Sequence, residues 1–131
     1  MSDAQTIMTQ PLIQPSALNR EPVSPILKWA GGKTRLMPEL LARLPESWDA
    51  YYEPFVGGGA LFFRMGPEQA RISDLNYELV NVYTVTRDRV NALIAALKGL
   101  EYNRDTYYGM RALDPESLDP VARAARMIYL N

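Results

Sequence analysis

Apolar residues recur along this chain with changing periods, and the changes mark its elements. Leu36, Met37, Leu40, Leu41 and Leu44 stand at helical spacing. They predict a helix over residues 33–44, with Gly32 or Thr34 near its start and Pro45 as its stop. Residues 50–55 (Ala-Tyr-Tyr-Glu-Pro-Phe) are aromatic-rich and predict a strand. Gly57-Gly58-Gly59 then forms a turn, residues 60–65 open a helix, and Gly66-Pro67 closes it. A second strand is expected over residues 70–73, ending at Asp74, and Asn76 offers a cap for the next helix. Leu79, Val82, Tyr83, Val90, Leu93, Ile94 and Leu97 mark one or two helices that end at Gly99, with residues 84–89 as the polar stretch where the run would break. Another helix is expected over residues 104–113, ended by Asp114-Pro115. Asp119-Pro120 places a capping carboxylate before a proline at the first helical position. The helix from Pro120 carries Val121, Ala124, Ala125, Ile128 and Tyr129 on one side. It reaches Asn131 without a glycine cap or polar tail, which predicts a truncated or split reading frame.

The resulting order of strand, turn, helix, strand and helix is the pattern of a parallel sheet with helices on both faces. Only two strands are read from the pattern, so the expected doubly wound sheet is unfinished. Residues 1–22 are rich in Gln, Ser and Pro without periodicity and predict a flexible tail. Structure is expected to begin at Pro25, leaving 1–24 as the tail segment.

Composition narrows the chemistry. Apolar residues make up 47% of the 131, enough to build a packed core. Without cysteine, disulfide scaffolds and thiolate metal sites are excluded; without histidine, so are a histidine base, a histidine triad and a histidine metal site. No metal site is expected. Lys and Arg number 14 against 15 Asp and Glu, a net charge of −1, whereas a self-sufficient nucleic-acid binder shows a basic excess. No apolar run approaches the roughly 18 residues of a membrane span, and the N-terminus has no signal-peptide pattern. A cytoplasmic location is expected, and no membrane partner.

Three stretches could carry chemistry. In Glu53-Pro54-Phe55-Val56-Gly57-Gly58-Gly59 a strand runs into glycines that let a backbone approach a ligand closely. A dinucleotide loop would need a third glycine where Phe62 stands, and a purely structural turn is the alternative. Asp74, at the end of the second strand, is placed to bind ribose hydroxyls or, alternatively, to cap the next helix. Lys28-Trp29-Ala30-Gly31-Gly32-Lys33-Thr34 invites a phosphate-loop reading, but that loop needs a glycine where Leu27 stands. Trp29 could instead pack on a flat ring and Lys33 meet a carboxylate, or the two could be ordinary core and solvated charge.

Taken in order, Lys28-Trp29-Ala30-Gly31-Gly32-Lys33, Glu53-Pro54-Phe55-Val56-Gly57-Gly58-Gly59-Ala60-Leu61-Phe62 and Asp74-Leu75-Asn76 resemble the opening motifs of Dam-type DNA adenine N6-methyltransferases. Asp119-Pro120, Ala124 and Tyr129-Leu130-Asn131 are similar to the family's helix that leads toward its DNA-recognition region. The resemblance implies an α/β, partial doubly wound (Rossmann-like) S-adenosylmethionine-dependent methyltransferase fold, with the start of a helical DNA-recognition region. It implies a SAM-binding segment over residues 25–103 and a helical segment over 104–131 that leads into a target-recognition region this sequence lacks. The cofactor implied is S-adenosylmethionine (SAM). Its implied contacts are Trp29, Lys33, Glu53, Phe55, Gly57, Gly59 and Asp74, with Asp74 at the ribose. The implied reaction transfers a methyl group to adenine N6 in double-stranded DNA, on a base flipped out of the duplex.

One departure matters. The family's Asp-Pro-Pro-Tyr catalytic motif is absent: Asp114-Pro115-Glu116 and Asp119-Pro120-Val121 are helix punctuation, so no catalytic residue is assigned. The expectation is therefore a segment that binds SAM but is inactive alone, with DNA as the partner of the complete enzyme and a C-terminal half supplied in trans as one way to complete it. The rival readings are a non-catalytic SAM- or partner-binding module and, more distantly, an ATP-binding phosphotransferase built on Gly32-Lys33-Thr34.

Overall fold

The computed structural model describes residues 5–8 and 23–131. The chain divides into two compact units, Met1–Leu75 and Asn76–Asn131. It is an α/β protein, with the strands in the first unit and most of the helix in the second.

In the first unit, β2 (Tyr51–Glu53) and β3 (Ala70–Asp74) pair in parallel, with Tyr52 opposite Arg71, and α2 (Ala60–Met65) connects them. This is the expected strand–turn–helix–strand unit. A third strand, β1 (Gln5–Met8), pairs antiparallel with β3 from Gln5 opposite Asp74 to Met8 opposite Arg71, giving the sheet order β1-β3-β2. Four residues of the 1–24 segment expected as a tail are strand. Gln-Thr-Ile-Met is too short to show a period, and its pairing partner lies over sixty residues away. The remainder of 1–22 lies outside the described residues. Among the described residues, Leu27, Val56, Met65, Ala70 and Ile72 form the buried apolar set of this unit.

The helix expected over 33–44 is shorter and tighter. Lys33–Leu36 is a 3₁₀ turn and only α1 (Met37–Leu41) is α-helical. Pro38 is the reason. It has no N–H to donate to Thr34, and its ring crowds that carbonyl, so regular α-helix begins only around the proline.

The second unit holds α3 (Tyr77–Asp88), α4 (Val90–Lys98), α5 (Arg104–Ala112) and α6 (Pro120–Leu130). The run expected as one or two helices is two, broken at Arg89, whose φ of −139° is not helical. Asn76 caps α3 by accepting from Glu78 N–H, Asn103 caps α5 through Thr106 N–H, and Asp119 caps α6 through Val121 and Ala122 N–H. Helix α6 is the hub of this unit, packing on α3, α4 and α5. Leu79, Val82, Ala124 and Ala125 are almost wholly buried, and the buried Asn81 side chain donates to Pro120 O at 3.0 Å. Arg123 Nε donates to Glu78 at 2.8 Å while its guanidinium lies 4.5 Å from the Tyr77 ring centroid. Arg126 donates to Met110 O and Arg111 O, satisfying carbonyls that the end of α5 leaves open. The division at Leu75–Asn76 thus puts α3 and α4 with the C-terminal helices, whereas the sequence groups 25–103 together. The apolar face of α3 finds its cover on α6, a pairing of distant segments.

Candidate functional site

The site grows from the carboxyl ends of β2 and β3. After β2 the chain stays tied to β3: Val56 N–H donates to Ser73 O at 3.0 Å, and Ser73 Oγ donates to Pro54 O at 3.2 Å. The chain then turns sharply. Gly57 and Gly59 have φ of +52° and +73°, a region that L side chains avoid. Gly59 N–H closes the turn on Val56 O at 2.8 Å, and Gly59 C=O accepts from Phe63 N–H to start α2. A parallel sheet edge of this kind is where α/β proteins present ligands.

Gly58 is glycine for a different reason. A Cβ there would lie 2.9 Å from Leu27 O and 3.2 Å from Trp29 Cβ. The segment carrying Trp29 therefore rests directly on the glycine turn, and a Cβ on Gly57 would meet Trp29 Cδ1 at 3.3 Å. Neither stretch signals this contact on its own, since it joins residues about thirty apart in the chain.

Around this contact lies a cleft of about 200 Å³, lined by Trp29, Lys33, Phe55, Gly57 and Asp74 together with Ala30, Gly31, Gly32, Val56, Gly58 and Ala60. Two charged groups flank the turn, each tied to it by a hydrogen bond. Lys33 Nζ donates to Phe55 O at 2.8 Å and to Glu53 Oε1 at 2.8 Å. Asp74 Oδ2 accepts from Gly57 N–H at 2.9 Å. The carboxylate and the ammonium are thus held two residues apart on one loop. Asn76, not Asp74, caps the following helix, so the alternative role for Asp74 is filled by a neighbour.

Of the seven residues singled out from the sequence, five line the cleft. Glu53 and Gly59 do not. Gly59 shapes the turn through its positive φ. Glu53 is buried, 5% exposed, and serves as the anchor for Lys33. Its second oxygen, Oε2, accepts from Tyr51 Oη at 2.7 Å. Burial, reinforced by this carboxylate, pushes the Tyr51 hydroxyl well above its ordinary value. In the sequence Tyr51 is marked only as an aromatic strand residue, and Gly58 only as part of a turn; the bond of the one and the packing of the other need the fold.

One exclusion rests on the geometry. A phosphate loop joins a strand to a helix, yet residues 23–32 form no strand, Lys33 opens a 3₁₀ turn, and its ammonium is bound to Glu53 and Phe55. Among the described residues, no group of three or more His, Cys, Asp or Glu is arranged to hold a metal ion. Also among them, no helix is long and apolar enough to cross a membrane.

A strand–glycine turn–helix with an acidic residue on the next strand defines an α/β protein with a ligand cleft at the carboxyl end of its sheet. Comparison with known proteins makes the class specific. Residues 29–131 match the profile of the D12 class N6 adenine-specific DNA methyltransferases, and the chain belongs to that family. It is similar to the type II methyltransferase M1.LlaDCHI of Lactococcus lactis subsp. cremoris, 37% identical over 125 residues that cover 91% of this chain and 43% of that protein. It is also similar to the DNA adenine methylase of Haemophilus influenzae, 34% identical over 112 residues covering 82% of this chain and 39% of that one. The DNA adenine methylase of Escherichia coli K12 is 34% identical over 109 residues, covering 80% and 39%. The chain thus spans about two fifths of the length of these curated relatives.

Proposed function

We propose that this chain supplies the SAM-binding part of a site-specific DNA adenine N6-methyltransferase with a Rossmann-like fold, acting on double-stranded DNA in the cytoplasm. The observation that carries the reading is the pairing of one ammonium and one carboxylate on a single glycine loop, with an indole against that loop. The donor set fits the ligand. Lys33 would take the methionine carboxylate as a charge-assisted partner, Asp74 the ribose hydroxyls, and Trp29 or Phe55 the flat adenine face. Phe55 is 68% exposed at the cleft, an apolar surface that a bound ring would cover. SAM, when bound, supplies the electrophilic methyl group.

These residues bind and orient. In this reading none of them holds the adenine amino group in line with the methyl, and positioning of that kind supplies much of such a rate. The chain alone is accordingly expected to bind SAM without transferring its methyl group. Calorimetric titration with SAM tests the site: Lys33→Ala and Asp74→Ala should each weaken binding at least about tenfold, the loss of one hydrogen bond to a charged group. Unchanged affinity in both variants would remove the site. Tritiated-methyl transfer to adenine-containing duplex DNA by the unaided chain would overturn the expected inactivity.

A further inference from the structure

The ammonium of Lys33 has three N–H groups, and two are engaged, by Glu53 Oε1 and Phe55 O. With two directions fixed, tetrahedral geometry fixes the third. Lys33 lines the cleft, and the third N–H is the one that neither Glu53 nor Phe55 takes. Its aim depends on where Glu53 holds its oxygens.

Glu53 is buried, and a buried carboxylate with a single partner can rotate to meet that partner with both oxygens. Here it does not, because Oε2 is held by Tyr51 Oη at 2.7 Å. Tyr51 is itself fixed, half-buried on β2 with its ring 6.3 Å from that of Phe62. The hydroxyl, the carboxylate and the ammonium thus form a chain that ends at the cleft. We propose that Tyr51 is a positioning residue: by holding Glu53 Oε2 it keeps Oε1 on Lys33 and so aims the Lys33 ammonium at the carboxylate of a bound amino-acid-bearing nucleoside. This inference rests on the SAM-binding reading of the cleft. Without the hydroxyl, Glu53 turns both oxygens to Lys33, the contact with Phe55 O weakens, and the ammonium retreats toward Glu53.

The test compares two probes on the 131-residue chain: SAM, and 5′-methylthioadenosine, which keeps the adenine and ribose but lacks the amino-acid carboxylate. Tyr51→Phe keeps the ring and removes only the hydroxyl. It should weaken SAM binding about fivefold and leave 5′-methylthioadenosine binding unchanged, which also shows that the variant is folded. In a Lys33→Ala background the same change should have no further effect on SAM, since the residue acts only through Lys33. Equal weakening toward both probes makes Tyr51 a structural residue and overturns the proposal. So does additivity with Lys33→Ala, or SAM affinity untouched by Tyr51→Phe. If Lys33→Ala itself leaves SAM binding unchanged, Lys33 does not meet the ligand and the positioning role falls with it. If Lys33→Ala lowers SAM affinity alone while Tyr51→Phe does nothing, the cleft stands and only the positioning role falls.

Discussion

Gly58→Ala is the most direct probe of how the site is built, because one methyl group addresses one contact. The new Cβ would stand 2.9 Å from Leu27 O, closer than real Cβ contacts allow, and 3.2 Å from Trp29 Cβ, a tight contact. Leu27 is 2% exposed, so its backbone cannot retreat without disturbing the core. Gly58 is not among the glycines with positive φ, so the cost is steric rather than conformational. Overpacking of this kind costs about 1–3 kcal/mol. At about 4 °C per kcal/mol for a chain of this size, the melting temperature should fall by about 4–12 °C. Alternatively the Trp29 segment lifts off the turn, relieving the clash and taking the indole out of the cleft; stability then survives better and SAM affinity falls instead. Gly31→Ala separates the two kinds of cost. Gly31 has φ +75° with nothing within 4 Å of its Cβ position, so it should lose only the about 1–2 kcal/mol of a left-handed non-glycine residue. Thermal melts and SAM calorimetry on both variants decide the matter. Gly58→Ala melting and binding SAM like the parent would refute the claim that the Trp29 segment rests on the turn.

The other predictions concern stability. Asp119→Ala removes the acceptor for Val121 and Ala122 N–H at the start of α6 and should cost about 1 kcal/mol by urea denaturation; no change would mean that the cap is satisfied otherwise. Gly99→Ala should stabilise by about 0.4–1 kcal/mol, since Gly99 has helical φ −77° and its Cβ position meets only ordinary contacts at 3.5 and 3.8 Å; a lower urea midpoint would contradict this. Tyr51 holds its proton more tightly folded than unfolded, so its contribution is complete below the unfolded tyrosine value near pH 10 and is lost as pH rises above that. The parent should therefore lose stability above about pH 10 more steeply than Tyr51→Phe; parallel alkaline denaturation curves would show that Tyr51 ionises freely in the folded chain.

Local chemistry is legible without the fold. Asn76 and Asp119 announce helix starts because a cap is a contact between residues two or three apart. The Gly66 stop and the strand over β3 rest on similarly short-range signals. The helix over 33–44 is overextended when apolar spacing is set above Pro38, whereas backbone hydrogen bonding gives the proline priority.

The sequence by itself determined which residues could meet a ligand: Trp29, Lys33, the Glu53–Gly59 turn and Asp74 stand in an order and spacing that mark the family. Tertiary structure decided what each of them touches. It set Lys33 on Glu53 and Phe55, Asp74 on Gly57, and the Trp29 segment on Gly58, and it moved Glu53 from the cleft to the support beneath it. It also placed Tyr51 behind Glu53, laid β1 along β3, and gathered α3 with α6. The physical reason is common to all of these. Caps and turns are settled within a few residues of backbone, whereas these contacts join segments 17 or more residues apart, or a strand residue to one two places on whose rotamer only burial fixes.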